Sequence, residues 1–90
     1  EEFAVLLPHT DLYGGTTLAE RIRATLETTP ARSEAGEIFI TASIGVSMLE
    51  ASDDSPEDCL DRVDTALYAA KHQGRNRVVT WNEDMHFTPA

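Results

Sequence analysis

Positive charge is scarce in this chain: seven lysines and arginines stand against sixteen aspartates and glutamates, for a net charge of −9. A surface of that sign repels phosphate backbones and anionic membranes, so nucleic acid is not an expected partner. A single cysteine, Cys59, excludes an internal disulfide and a multi-cysteine metal site, and it suits a reducing compartment. As a lone thiol it reads as a small core residue. No uninterrupted apolar run exceeds five residues and no charged-then-apolar leader opens the sequence, so neither a membrane span nor a signal peptide is expected. The expected location is cytoplasmic, with any membrane anchor of the parent protein carried by upstream segments. His9, His72 and His86 lack ligand-like spacing, which argues against a histidine metal site.

What is present is an ordinary globular composition, 41% apolar and 26% charged, in 90 residues. That length supports one modest core, hence one domain or part of one. The few cations are also unevenly placed. Lys71, Arg75 and Arg77 give the window 71–77 a charge of +3 and leave −12 for the rest, so a local anion site is compatible with the acidic whole.

Phe3 to Leu7, closed by Pro8, reads as a short strand buried on both faces. Gly14-Gly15 followed by threonines matches neither a dinucleotide-binding nor a Walker pattern and reads as a loop entering a helix. With Thr16 or Thr17 as N-cap, Leu18, Ala19, Ile22 and Leu26 recur at helical spacing up to about Thr28, before Pro30. Residues 31–37 have turn composition. From Ile38 to Met48, apolar even positions alternate with odd positions that turn small and polar after Phe39, which predicts one strand. Gly45 on its odd face permits close approach of backbone or ligand, so that face is a candidate to look toward a site. Ser55-Pro56-Glu57-Asp58 is a helix start, and Leu60, Val63, Ala66, Leu67 and Ala70 form the apolar stripe that runs to a cap at Gly74. Arg77 to Trp81 reads as a last strand. Strand, helix, strand, helix, strand argues for one sheet with helices packed on it, an α/β fold.

Two groups of residues can carry chemistry. Glu1 and Glu2 are either a solvated acidic end or hard-oxygen donors for a divalent cation, set by a turn leading into a rigid strand. Lys71 to Arg77 is either compensation of a helix dipole or a phosphate contact, since Arg75 and Arg77 lie beyond the helix.

Glu-Glu-Phe-Ala-Val-Leu-Leu-Pro at 1–8, Leu-Ala-Glu-Arg-Ile-Arg at 18–23, Thr-Ala-Ser-Ile-Gly-Val at 41–46 and Ala-Leu-Tyr-Ala-Ala-Lys-His-Gln-Gly-Arg-Asn-Arg-Val-Val at 66–79 together resemble the GGDEF domain family. The resemblance covers residues 1–80 as the C-terminal part of such a domain and leaves 81–90 as a tail. It implies a palm-like α+β fold of the nucleotidyl cyclase and ferredoxin-like kind. It further implies condensation of two GTP molecules into cyclic di-GMP across a homodimer interface, assisted by Mg²⁺ or Mn²⁺. Under it, Glu1 is a metal ligand and base for the attacking 3′-hydroxyl, and Glu2 belongs to the same site. Lys71 and Arg75 contact the GTP phosphates, and Arg21 matches an arginine of an allosteric product-binding site.

The resemblance also implies parts that these residues do not include: two signature glycines, a strand with the second metal ligand, the guanine-binding residues and the Arg-x-x-Asp inhibition motif. The chain alone is therefore expected to be inactive, and the parent to carry an upstream sensory or regulatory domain. Phe3 to Leu7 without its hairpin partner is expected to leave the isolated chain marginal or self-associating. Two other readings stand beside the active cyclase. One is a silent GGDEF module that receives GTP or cyclic di-GMP and passes on a signal; the other is a structural or dimerising α/β unit.

Overall fold

The computed structural model describes residues 10–85. The predicted strand Phe3–Leu7 lies outside them. Helix α1 runs Leu12–Thr28, starting earlier than the threonines suggest. Its N-cap is Asp11, whose carboxylate accepts the Gly14 N–H at 2.7 Å and satisfies one of the orphan donors of the first turn. Gly14 and Gly15 are thus inside the helix, and the expected loop there is corrected. Thr29 ends it in an extended conformation, as the residue before a proline must.

After Pro30 the chain forms a small antiparallel hairpin, β1 (Ala31–Ser33) and β2 (Gly36–Ile38), with Ala31 opposite Ile38 and Ser33 opposite Gly36. Gly36 has φ +115, which the tight turn requires of a glycine, and the Ser33 hydroxyl donates to the Gly36 carbonyl at 3.0 Å. The region read as a turn is therefore a hairpin. The alternating segment 38–48 is not one strand either: it belongs to β2 at its start and to β3 (Ile44–Val46) further on, with no ladder over 39–43. Alternation reports which way side chains face, whereas a ladder needs a partner backbone. The partner of β3 is the three-residue β4 (Val78–Thr80).

Strands β3 and β4 run parallel, Ile44 beside Val78, Gly45 beside Val79 and Val46 beside Thr80, joined through helix α2 (Pro56–His72). Among the described residues β3 and β4, from the second and third predicted strands, share one sheet, and the β1–β2 hairpin forms a second, separate pair. The β3–β4 pair is covered on both faces. On one side Val79 packs with Ala66 and Ala70 of α2, both 0% exposed, and Ala69, Trp81 and Met85 surround them. On the other side Gly15 lies against Val46, and the Thr16 and Thr80 hydroxyls are hydrogen-bonded at 3.0 Å. Helix, parallel strands and helix form layers of an α/β fold, the arrangement in which parallel strands are stable.

Gly45 decides how closely α2 sits. A Cβ there would stand 2.5 Å from the Val63 carbonyl oxygen and 2.6 Å from the Leu67 nitrogen. The odd face at Gly45 accommodates helix backbone and no ligand, which settles the two alternatives that its small size left open. Of the predicted stripes Ala19, Ala66 and Ala70 are buried, whereas Ile22 and Leu60 are exposed. Cys59 is half-buried and free.

Candidate functional site

Helix α2 begins as its sequence predicts. Ser55 occupies the N-cap and Pro56 the first helical position, while the Asp58 carboxylate reaches back to accept the Asp54 N–H at 2.8 Å. It ends on Gln73, after which Gly74 takes φ +120 and the Arg75 N–H donates to the Ala70 carbonyl at 3.0 Å. That bond closes a Schellman-type cap. The backbone then stays left-handed for two residues with side chains, Arg75 at φ +63 and Asn76 at φ +48. Each such residue costs on the order of 1 kcal/mol, least for asparagine, and persists where neighbours hold it in place.

Lys71, in the last turn of α2, is half-buried, and Arg75, on the turn beyond it, is exposed. Among the described residues neither makes an ion pair. Arg77 is committed to the same turn, its Nε donating to the Arg75 carbonyl at 3.1 Å. The structure therefore gathers the three sequence-predicted cations at one helix end and leaves Lys71 and Arg75 available to an anion.

Asn76 anchors this turn. Its N–H donates to the Ser43 hydroxyl at 3.2 Å, its Oδ1 accepts from Arg23 Nη1 at 3.0 Å, and its Nδ2 donates to the Glu27 carboxylate. Arg23 is itself gripped by Glu20, with Nε at 3.0 and 3.1 Å from the two carboxylate oxygens, and lies 3.6 Å from Glu27. The hydrogen bond from Arg23 holds the Glu20 carboxyl below its ordinary range. Sequence reading did not find Arg23, Glu27, Ser43 or Asn76, because contacts across 53 and 33 positions leave no periodic signal. The positive φ of a non-glycine turn is invisible in composition too.

Arg21, the product-site candidate, is exposed on α1. Two residues of helix turn by roughly 200°, so Arg21 lies away from the face on which Arg23 meets Asn76. It is not part of the cluster.

A second arginine cluster sits on the first half of α2. Arg62 donates to Asp53 at 2.8 and 2.6 Å, to the Met48 carbonyl at 2.9 Å and to the Ser47 hydroxyl at 3.2 Å. Its guanidinium carbon lies 5.5 Å from the centre of the Trp81 ring. The hydrogen bond from Arg62 lowers the Asp53 carboxyl to about 2, and Asp53 in turn raises Arg62. This cluster latches the acidic loop onto the helix, and its charges are occupied.

Glu1 and Glu2 lie outside the described residues, as do His9, His86 and Phe87. Within the described residues no group of three or more histidine, cysteine, aspartate or glutamate side chains is arranged to hold a metal ion. No described helix is long and apolar enough to cross a membrane. His72 stacks on Tyr68, ring centres 4.1 Å apart.

Residues 1–77 match the family described as diguanylate cyclase, GGDEF domain. The chain is 41% identical over 78 residues to diguanylate cyclase DgcP of Pseudomonas aeruginosa, which covers 87% of this chain and 12% of that protein. It is 42% identical over 81 residues to response regulator PleD of Caulobacter vibrioides, covering 88% and 18%. To diguanylate cyclase DgcM of Escherichia coli it is 44% identical over 79 residues, again covering 88% and 18%. The chain thus spans less than a fifth of the length of these curated relatives. With its α/β layers and a match over residues 1–77, this chain belongs to the GGDEF domain family of diguanylate cyclases.

Proposed function

We propose that the intact protein carrying this chain condenses two molecules of GTP into cyclic di-GMP, acting as a homodimer under the control of an upstream regulatory domain. The observation that carries this reading is that Lys71 and Arg75, neither of them ion-paired among the described residues, stand together at the end of α2 in a chain of net charge −9 that belongs to a cyclase family. Lys71 is a mobile point charge and Arg75 a planar fork, and together they suit the oxygens of a triphosphate. Their charge opposes the charge that develops on the transferred phosphoryl group.

Glu1 and Glu2 would hold Mg²⁺ or Mn²⁺, for which adjacent carboxylates are fitting hard-oxygen donors. Such an ion, when bound, supplies neutralisation of phosphate charge and a more acidic 3′-hydroxyl. Glu1 takes the proton of that hydroxyl, and Glu2 keeps a second carboxylate in the same site. Arg21, exposed and on a different face of α1, is available to the cyclic product as part of an inhibitory surface. The guanine pocket and the remaining metal ligand belong to other parts of the protein.

Cyclic di-GMP formation by the intact protein tests the reading. Replacing Glu1→Ala is expected to lower turnover by about 100-fold or more, the effect of losing a general base. Unchanged turnover in that variant would contradict the role of Glu1. GTP binding without any turnover by the unaltered protein would replace the cyclase with a nucleotide-receiving module.

A further inference from the structure

The left-handed pair Arg75-Asn76 is an unusual backbone conformation for two residues with side chains, and one of them is a cation with no ion pair among the described residues. The backbone of Arg75 is fixed from one side by its N–H bond to the Ala70 carbonyl. From the other side it is fixed by Asn76, which bonds three residues in two separate parts of the fold: Ser43 ahead of β3, and Arg23 and Glu27 on α1. The following Arg77 carbonyl accepts the Ile44 N–H at 2.9 Å and starts the β3–β4 ladder. The backbone of Arg75 and of the two residues after it is therefore tied down, while its guanidinium makes no ion pair among the described residues.

We infer that Asn76 is a positioning residue for the nucleotide-phosphate site: clamped by Arg23 and Glu27, it holds the Arg75 backbone so that the guanidinium meets phosphate without reorganising. The inference rests on the reading of Arg75 as a phosphate contact. Asparagine suits the task because it tolerates positive φ and because its amide is acceptor and donor at once, accepting from Arg23 and donating to Glu27. Aspartate would offer no donor to Glu27 and would repel it. Glycine would accept the backbone conformation but offer no arms. A site held in place ahead of its ligand loses less freedom on binding, so the loss of the clamp should appear in the response to GTP.

The test is steady-state kinetics of the intact protein with Asn76→Gly, Arg75→Ala and the two combined, alongside thermal unfolding. Glycine removes the clamp while keeping φ +48 accessible, so folding is retained and a purely conformational role predicts no loss. The expected result is a rise of about 10-fold in KM for GTP on Asn76→Gly, absent when Arg75 is already alanine, because residues acting through one another are not additive. Exchanging donor and acceptor, Asn76→Asp together with Glu27→Gln, is expected to restore KM to within about 3-fold. An unchanged KM in Asn76→Gly overturns the inference. An equal loss in both backgrounds also overturns it, since the effect would then not pass through Arg75. An unchanged KM in Arg75→Ala alone removes the phosphate reading beneath it, which distinguishes that failure from the first two.

Discussion

In the first half of α2 the Arg62 side chain, 14% exposed, meets the Asp53 carboxylate, a backbone carbonyl, a hydroxyl and an indole face. At the end of the same helix Lys71 and Arg75 have no acidic partner among the described residues, although acids outnumber bases more than two to one along the chain. Only Arg23 and Arg62 of the seven cations are ion-paired among the described residues, so what sets Lys71 and Arg75 apart is their placement together at one helix end. The comparison separates charge used to hold a fold from charge left open to an external anion. The open end is not loose, since Gly74, Arg75 and Asn76 are each held in a specified backbone conformation.

The contrast breaks first if the helix between the two ends is displaced. Gly45→Ala would put a Cβ 2.5 Å from the Val63 carbonyl and 2.6 Å from the Leu67 nitrogen, both backbone atoms that cannot turn aside. Overpacking of that kind is expected to cost about 3 kcal/mol, and denaturant unfolding should show it, with the function of both ends lost together. A smaller effect is expected at the latch alone. Arg62→Ala should lower the thermal midpoint of the domain by roughly 5–10 °C and leave the KM for GTP of the folded protein unchanged. A shifted KM would mean that the two ends are not separable.

The smallest effect is the pH dependence of that latch. Asp53 is lowered in the folded state, so the pair contributes its full stability above the ordinary value of 3.8 and loses it as pH falls toward about 2. Unfolding curves across that window should be steeper for the unaltered protein than for Arg62→Ala. Equal slopes would show that Asp53 is not held by Arg62.

Local rules made one helix legible and left the other half-read. Pro56, the first-turn acids Glu57 and Asp58, and Gly74 act on the backbone within a few residues, so both ends of α2 follow from the sequence. The start of α1 was hidden because two glycines next to threonines look like a loop, and the cue that outweighs them is the single carboxylate of Asp11. The segment from Ile38 to Met48 shows the limit of alternation. Ile38 and Ile40 sit on the apolar even positions that the pattern assigns to a core, yet they are 48 and 49% exposed, and only Ile44–Val46 finds a parallel partner. Burial and pairing depend on what lies alongside, which a single sequence does not state.

The site divides in the same way. Lys71 and Arg75 were legible as cations next to a helix cap, but their lack of acidic partners was not, because pairing across the fold depends on packing. The Arg62–Asp53 latch and the Arg23–Asn76 clamp join residues whose spacing carries no periodic cue. Glu1 and Glu2 were legible by resemblance alone, and their geometry lies outside the described residues.

The central claim is that the cations at the end of α2 are a nucleotide-phosphate site. Its most direct test is calorimetric titration of the intact protein with a non-hydrolysable GTP analogue in the presence of Mg²⁺, before and after Lys71→Ala combined with Arg75→Ala. Losing two charge-assisted contacts is expected to weaken binding about 100-fold or more, with thermal stability unchanged because neither side chain holds an ion pair among the described residues. An affinity that stays the same in the double variant would contradict the account.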